Sequence, residues 1–291
     1  MAAASVRVLA VWTDRELPPH ALSAAERTRV DAFGAGERRR RWLRARRAQR
    51  VVTGLLGLPC DAARRFPHPR LSLTHTGGGS VAAGVAGPVP PSLAGIGVDL
   101  EPPRLPDPRT ARFFLDDRER AWLAGQPPPR RAAEHVRLWT LKEALFKADP
   151  ANADATLRDY RVRDAAARHG TAGRPHRPGL TFGYVSGRLR GGHLSIALSF
   201  DGARTPVGRT TDMPARTIAF EQVADRIAGV LSVPAGELTP QTPLRSLTMD
   251  SFVLVEVIVD LQEEFDAVFS QAELKEIGTL GELVELLRSA R

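Results

Sequence analysis

The chain has 291 residues, a length typical of about two domains, and 43% of them are hydrophobic, which is enough for a sizeable core. Cys60 is the only cysteine, which excludes an intramolecular disulfide and fits a cytoplasmic protein. No apolar run approaches the roughly 20 residues that span a bilayer, and residues 1–12 lack a signal-peptide pattern, so we expect no membrane partner.

The formal net charge of +8 is unevenly divided along the chain. Residues 217–291 contain 13 acidic and 5 basic residues and so carry −8, which leaves +16 on residues 1–216. A basic N-terminal part joined to an acidic C-terminal part predicts two domains whose electrostatic potentials have opposite signs. The positive charge leaves nucleic-acid binding open as an alternative, although no nucleic-acid motif is present and few aromatic residues lie among the arginines.

Hydrophobic periodicity predicts an alternation of strands and helices over about the first 200 residues. Ser23 and Glu26 have the spacing of a capping box at the start of a short helix, and Gly191-Gly192 is a hairpin signal. Strands are predicted in 1–16 and at 71–76, 80–85, 95–101, 159–162 and 180–200, and helices at 23–33, 36–58, 112–123 and 132–148. This order indicates an α+β fold with two comparable halves.

Residues 95–101 read Gly-Ile-Gly-Val-Asp-Leu-Glu and predict a buried strand. Asp99 and Glu101 are two residues apart, so a strand places both carboxylates on one side. Two adjacent carboxylates repel each other unless a cation lies between them. With a third carboxylate they would suit Mg²⁺, which takes few protein ligands and completes its shell with waters and substrate phosphates.

Residues 138–147 read Leu-Trp-Thr-Leu-Lys-Glu-Ala-Leu-Phe-Lys and predict a helix that holds two of the three lysines in the chain. Trp139, Glu143 and Lys147 recur every four residues, so they share one helix face. A carboxylate and an ammonium at this spacing are equally well explained as an i,i+4 surface pair, worth about a few tenths of a kcal/mol. Taken together with residues 95–101, Glu143 supplies the third oxygen ligand of a Mg²⁺ site.

The C-terminal part of the sequence differs in composition and in hydrophobic periodicity. Residues 202–216 are rich in Gly, Thr, Pro and Arg and predict a linker. One apolar helix face follows Ser251, and short helices are predicted on both sides of it. The residues of that face are Leu254, Val257, Ile258, Leu261 and Phe265. Helices of this kind within residues 217–291 predict a small all-α bundle.

Two pairs of segments resemble known families. Residues 97–101, followed about 40 residues later by 139–147, resemble the paired signature of the Sfp-type 4′-phosphopantetheinyl transferases. Residues 247–256, together with 278–283, closely resemble an acyl carrier protein, except that Thr248 stands where that family usually has glycine. The first family attaches a phosphopantetheine arm to the second, so each resemblance strengthens the other.

The resemblances imply a domain organisation. They imply an α+β transferase whose two similar halves are related by a pseudo-twofold axis, followed by a small all-α carrier bundle of four helices. The implied boundaries are 1–201 for the transferase (halves about 1–100 and 101–201), 202–216 for the linker and 217–291 for the carrier.

The transferase resemblance also implies a reaction of the holo-[acyl-carrier-protein] synthase type. The serine hydroxyl of a carrier attacks the β-phosphorus of coenzyme A, 3′,5′-ADP leaves, and the arm stays as a phosphodiester. Asp99, Glu101 and Glu143 are the implied Mg²⁺ ligands, and Glu143 is the implied general base, directly or through a metal-bound water. Lys147, and with it Lys142, would offset the charge of the phosphates.

Further residues are implied to contact coenzyme A. Two of them lie in Thr74-His75-Thr76: Thr74 is implied to bind coenzyme A, and His75 would contact its 3′-phosphate, with a purely structural histidine as the alternative. The basic helix and the segment before this motif supply more cations, although most of these arginines suit a solvated face equally well. The implied basic contacts are Arg41, Arg46 and Arg50, with Arg64 or Arg65.

The carrier resemblance makes Ser251 the phosphopantetheine attachment site, with Asp250 orienting it; an ordinary helix N-cap is the alternative. The expected docking face for a basic partner is formed by Glu256, Asp260, Glu263 and Glu264, with Met249, Phe252 and Val255 as its apolar part. We expect a monomer whose partners are coenzyme A and carrier domains, without nucleic acid. The alternatives are a carrier-delivery module with a non-catalytic docking domain, a nucleic-acid-binding protein or a Mg²⁺-dependent phosphoesterase.

Overall fold

The computed structural model describes residues 6–34, 36–59, 67–153, 155–202, 219–231, 233–247, 257–258, 261, 265 and 277–289. Several predicted features lie outside these residues, so their placement stays a prediction. They are Cys60, Arg64, Arg65, Met249, Asp250, Ser251, Phe252, Leu254, Val255, Glu256, Asp260, Glu263 and Glu264, nearly all of the linker, and all but the last residue of a short helix that the sequence predicts at 271–277.

The protein has a mixed α+β fold. Its strands are β1 Arg7–Thr13, β2 Leu71–His75, β3 Ser80–Ala86, β4 Leu93–Glu101, β5 Arg161–Val162, β6 His169–Gly173, β7 Leu180–Leu189 and β8 Gly192–Asp201. Its described α-helices are α1 Ala24–Asp31, α2 Glu37–Leu55, α3 Ala111–Phe114, α4 Asp117–Ala124, α5 Pro128–Ala148, α6 Phe220–Leu231, α7 Leu244–Leu247 and α8 Leu280–Ser289. Within these described segments, every helix is too short or too polar to cross a membrane.

Contacts divide the chain into two units. The first comprises Met1–Pro106, Leu115–Asn152 and Arg158–Arg204. The second comprises Asp107–Phe114, Ala153–Leu157 and Thr205–Arg291.

The N-terminal part of the first unit is a three-stranded antiparallel sheet with the order β1-β3-β2. Helix α2 packs on it through a small cluster that includes Ala48, Val52 and Leu71. This helix ends before Gly57, whose φ of 65° is a left-handed conformation that glycine adopts without strain. The predicted strand at the N-terminus is therefore confirmed as the edge strand β1.

The rest of the first unit is a five-stranded antiparallel sheet with the order β4-β8-β7-β6-β5. Helix α5 packs against β4 and β8. It begins at Pro128, earlier than predicted, because proline is well suited to the first turn of a helix, where its missing N–H leaves no bond unmade.

Strand β4 is buried on both faces. Ile96, Val98 and Leu100 pack in a cluster with residues of β3, while the alternate residues of the strand lie on the other face. Because β4 pairs with β8, the five-stranded sheet begins at residue 93, so the predicted boundary between halves near residue 100 falls inside a strand.

Three local features differ from the sequence-based expectation. The helix expected at 112–123 is interrupted, because Asp116 caps a new helix through a reciprocal capping box with Glu119. Strand β6 was not predicted, because its sequence is mostly exposed and has no apolar alternation. The β7–β8 turn is centred on Arg190-Gly191, one residue earlier than expected, with φ angles of 52° and 82°.

In the second unit, α6 and α8 contribute to one hydrophobic cluster. Val223 and Ile227 of α6 are buried in it, as are Leu283 and Leu287 of α8. Three residues of the predicted apolar face, Val257, Ile258 and Leu261, are buried in the same cluster. The predicted apolar face is therefore confirmed at these three positions.

Candidate active site

The candidate site is built where helix α5 crosses strand β4. A Cβ atom on Gly97 would lie 1.9 Å from the carbonyl oxygen of Ala144, and one on Gly95 would lie 2.3 Å from that of Ala148. Real side chains never come so close, so only glycine allows the last turns of α5 to pack directly on the strand. Ser199 fastens the contact by donating a hydrogen bond of 2.6 Å to the carbonyl of Ala148.

This close approach brings Lys147 of α5 to Asp99 of β4. The ammonium of Lys147 donates to Asp99 Oδ1 at 2.6 Å, and its distance to Glu143 Oε2 is 3.9 Å. Burial alone would lower the pKa of Lys147, but the carboxylates of Asp99, Glu143 and Glu101 raise it above its ordinary value. The carboxylates of three predicted site residues therefore stabilise the positive charge of Lys147.

Asp99 is buried, and its two oxygens differ. Oδ1 accepts hydrogen bonds from Lys147 and, at 2.9 Å, from the Thr74 hydroxyl. Oδ2 is buried and has no hydrogen-bond partner in the part of the chain that the structure describes. A buried carboxylate oxygen without a donor is costly, and it is an oxygen to which a hard cation would bind favourably.

The three carboxylates are not assembled as a ready metal cage. Glu101 is paired with Arg104 at 2.7 Å, and the described residues contain no group of three or more His, Cys, Asp or Glu side chains arranged to hold a metal ion. The donor set nevertheless suits Mg²⁺, because it consists of oxygens on one face of a strand and the facing helix, with one oxygen of Asp99 lacking a donor.

His75 lies beside a group of positive charges. Although the residue reaches the surface, loss of solvation and the charges of Arg41, Lys147 and Arg44 lower the pKa of its imidazole to about 3. Arg44 is held in place by a hydrogen bond of 2.9 Å to the carbonyl of Gly77 and by an ion pair with Glu37. A neutral imidazole among three cations is suited to an anionic ligand such as a phosphate.

Two of the predicted coenzyme A contacts are engaged elsewhere. Arg46 and Arg50 bind the carboxylate of Glu26, at 2.8 Å from the Arg46 Nε and 2.6 Å from the Arg50 Nη2. Burial would raise the pKa of Glu26, but the Ser23 backbone N–H and these two guanidinium groups lower it to about 2. Arg46 and Arg50 thus tie α2 to α1, while Arg41 and Arg44 are the arginines that act on His75.

Lys142 is a third predicted coenzyme A contact whose ammonium is engaged by other residues of the chain. Its side chain is fully buried and its ammonium binds both carboxylate oxygens of Glu119, at 2.7 and 2.8 Å, and the carbonyl of Tyr160. Burial lowers the pKa of Lys142, against the opposing effect of Glu119. Its position was foreseeable, because Leu138, Lys142 and Leu145 have the i, i+4, i+7 spacing of one helix face, the face that packs in the core.

Sequence reasoning missed two features of this site. Arg44 was missed, although its i,i+3 spacing from Arg41 places both on one side of α2. The bond between Thr74 and Asp99 joins residues 25 positions apart, and no local pattern could have predicted it. Trp139, which shares a helix face with Glu143 and Lys147 by its spacing, is fully buried.

In comparisons with known proteins, two separate parts of the chain match protein-family models. Residues 95–188 match the model of the 4′-phosphopantetheinyl transferase superfamily, and that range contains Asp99, Glu101, Glu143 and Lys147. Residues 221–287 match the model of the phosphopantetheine attachment site.

Two curated relatives match the C-terminal part. It is similar to an acyl carrier protein of Saccharopolyspora erythraea, with 37% identity over 68 residues that cover 23% of this chain and 72% of the relative. It is also similar to an acyl carrier protein of Clostridium acetobutylicum, with 32% identity over 73 residues that cover 25% of this chain and 95% of the relative. The chain therefore carries a domain of the 4′-phosphopantetheinyl transferase superfamily, and through its C-terminal part it belongs to the acyl carrier protein family.

Proposed function

We propose that this chain is a Mg²⁺-dependent holo-[acyl-carrier-protein] synthase that transfers the 4′-phosphopantetheine arm of coenzyme A to the serine of a carrier domain, with Ser251 as one acceptor. The observation that carries the proposal is the convergence of Asp99, Glu143 and Lys147 at the crossing of β4 and α5. That crossing lies inside the region that matches the transferase superfamily.

The proposed step is a phosphoryl-type transfer. The serine oxygen forms a bond to the β-phosphorus of coenzyme A, the bond from that phosphorus to the 3′,5′-ADP oxygen breaks, and 3′,5′-ADP leaves with the electron pair. The serine proton passes to the carboxylate of Glu143, because a hydroxyl with a pKa far above 7 needs a base. Lys147 lies 3.9 Å from this carboxylate and neutralises phosphate charge as the leaving group departs.

Asp99, Glu101 and Glu143 would hold the Mg²⁺ ion. Bound there, it would supply a positive charge to the pyrophosphate oxygens. The chain's own part in this is to keep the carboxylates on one strand and one helix turn, where the Gly95 and Gly97 contacts fix their spacing.

Recognition of the nucleotide end is assigned to the cations around His75. A neutral imidazole can donate one hydrogen bond to a phosphate oxygen, and Arg41 and Arg44 add charge beside it. We propose that this group binds the 3′-phosphate of coenzyme A. Thr74, Arg46 and Arg50 contribute less directly in this proposal, because their polar atoms bind Asp99 or Glu26.

We also propose that the transferase consists of two halves related by a pseudo-twofold axis. In each half, a strand is followed by a long helix and then by a hairpin whose second strand pairs with the first strand. The order is β1-β3-β2 around α2 and β4-β8-β7 around α5. The cluster shared by α6, α8 and the residues Val257, Ile258 and Leu261 supports a four-helix carrier bundle over residues 217–291.

The partners follow from the same assignment. We propose that the chain is a cytoplasmic monomer that binds coenzyme A and carrier domains but not nucleic acid or membranes. Many arginines are already neutralised by carboxylates, as Arg46 and Arg50 are by Glu26 and Arg137 is by Glu134. The effective positive surface is therefore smaller than the formal charge suggests.

A transfer assay with a separate acceptor tests the proposal. A fluorescent coenzyme A conjugate and a purified apo-acyl carrier protein are incubated with the full chain and Mg²⁺, with EDTA as the control. We expect the label on the separate carrier with Mg²⁺ and its loss with EDTA, because hard oxygen ligands need a divalent cation. A chain that labels no carrier, or labels it equally well in EDTA, would overturn the proposed function or its metal dependence.

A further inference from the structure

The free edges of two sheets meet through side-chain hydroxyls. Strand β2 is the edge of the three-stranded sheet and β4 is the edge of the five-stranded one. Ser72 and Thr74 of β2 are both buried, and Ser72 accepts a hydrogen bond of 3.0 Å from the backbone N–H of Val98. The Val98 N–H at the edge of the sheet thereby gains a hydrogen-bond acceptor although β2 and β4 do not pair as neighbouring strands. Thr74, two residues after Ser72 on the same side of β2, lies within hydrogen-bond distance of Asp99.

Thr74 fixes how Asp99 is turned. Its hydroxyl donates to Asp99 Oδ1 at 2.9 Å from one side, and Lys147 donates to the same oxygen at 2.6 Å from α5. Two donors on one oxygen leave the other, Oδ2, buried and without a hydrogen-bond partner among the described residues. The carboxylate therefore presents one specific oxygen, where a freely rotating carboxylate would present either.

We propose that Thr74 is a positioning residue that holds Asp99 so that Oδ2 is the oxygen offered to the divalent cation. This inference rests on the proposed Mg²⁺-dependent transfer. Mg²⁺ demands nearly ideal octahedral geometry and is usually held by single carboxylate oxygens with waters and phosphates. A hydrogen bond that removes one carboxylate oxygen from competition favours that kind of binding.

The same hydrogen bond argues against Thr74 as a phosphate ligand. A threonine hydroxyl has one hydrogen to donate, and the structure commits it to Asp99. Ionised phosphate oxygens only accept hydrogen bonds, so Thr74 cannot donate to a phosphate while it holds Asp99. A nucleotide-binding role and a positioning role for this hydroxyl thus make opposite predictions.

Three variants separate these roles, each made in the full chain with Ser251→Ala so that coenzyme A is not consumed. Thr74→Val removes the hydroxyl but keeps the branched shape that suits a strand, and Thr74→Ser restores the hydroxyl. Thr76→Val is the matched control, because among the described residues the Thr76 hydroxyl bonds within its own turn, donating to the Gly79 carbonyl and accepting from the Gly78 N–H. Mn²⁺ binding is measured by electron paramagnetic resonance, and binding of coenzyme A and of 3′-dephospho-coenzyme A by calorimetry.

We expect Thr74→Val to weaken Mn²⁺ binding by about 10- to 100-fold, as loss of an outer partner of a metal ligand does. Thr74→Ser should restore most of that loss, and Thr76→Val should leave Mn²⁺ binding unchanged. The ratio of the Kd for 3′-dephospho-coenzyme A to that for coenzyme A should stay as in the parent. Unchanged Mn²⁺ binding in Thr74→Val, or a ratio that collapses in this variant alone, would overturn the inference.

These outcomes are distinct from failure of the proposed function. In one case, the chain with Ser251 intact transfers the arm, but the Ser251→Ala chain with Thr74 intact binds no Mn²⁺. That result would overturn the role of Thr74 and leave the transfer standing. A chain that transfers nothing, yet loses Mn²⁺ affinity in Thr74→Val and regains it in Thr74→Ser, would support the role of Thr74 and overturn the transfer.

Discussion

The ammonium of Lys147 lies 2.6 Å from Asp99 Oδ1, although the two residues are 48 positions apart in the chain. This ion pair forms because Gly95 and Gly97 leave room for the backbone of α5 directly on β4. The same approach places Glu143 near Lys147. The proposed chemistry therefore depends first on a contact between a strand and a helix, and only then on the charged groups themselves.

Gly97→Ala should damage both stability and activity. Its Cβ would lie 1.9 Å from the Ala144 carbonyl oxygen, so α5 must move away from β4. We expect the free energy of unfolding, measured by urea denaturation, to fall by about 1–3 kcal/mol, as overpacking of a core does. Gly183→Ala on β7 is the matched control, since nothing lies within 4 Å of a Cβ there. Equal stability of the two variants would contradict this account of the glycine.

Lys142→Met should destabilise the fold without a specific effect on coenzyme A. It leaves the buried carboxylate of Glu119 with its backbone donors but without its counter-ion, and breaking such an ion pair costs about 3–5 kcal/mol. The double variant Lys142→Met with Glu119→Leu removes both charges and should recover much of that stability. We expect the recovered double variant to have a normal KM for coenzyme A. A raised KM in the double variant, with restored stability, would show that Lys142 binds the substrate after all.

Glu143→Gln should abolish transfer while the fold survives. The substitution keeps the size of the side chain but removes the proposed base, and loss of general base catalysis typically costs about 10²–10⁴ in rate. The rate is measured with a separate apo-carrier, and the Tm by circular dichroism. Glu285→Gln, which changes an exposed carboxylate of α8, is the control and should leave the rate unchanged. Turnover close to normal in Glu143→Gln would rule out its catalytic role.

His75 should remain neutral at pH 5 and become easier to protonate when an anion binds. Lost solvation and the charges of Arg41, Lys147 and Arg44 lower its pKa to about 3. Because the folded pKa lies below the unfolded one, any stability linked to this group is present above about pH 6.5 and declines as the pH falls from there toward 3. NMR titration of the imidazole, with and without 3′,5′-ADP, measures the pKa. An ordinary pKa in the free protein, or no upward shift on binding, would contradict the proposed anion site.

Sequence patterns predicted much of this site because its main signals are local. The capping box of Ser23 and Glu26 is present as predicted. The i,i+4 spacing puts Glu143 and Lys147 on one helix face, the alternation puts Asp99 and Glu101 on one side of a strand, and the fold brings the two together. The ion-pair partners of Arg46, Arg50 and Lys142 could not be read in the same way, although the burial of Lys142 follows from its helix face. Each is decided by a carboxylate far away in the chain, Glu26 or Glu119, and a local pattern does not show which of several cations that partner will bind.

The mass of the intact chain after incubation with coenzyme A and Mg²⁺ tests the central claim most directly. We predict a gain of one phosphopantetheine arm, about 340 Da by its covalent mass, that is absent with EDTA and absent in Ser251→Ala. The mass before incubation shows whether the serine is still unmodified at the start. A chain that starts unmodified, gains no mass and labels no separate acyl carrier protein would contradict the assignment of a phosphopantetheinyl transferase to this protein.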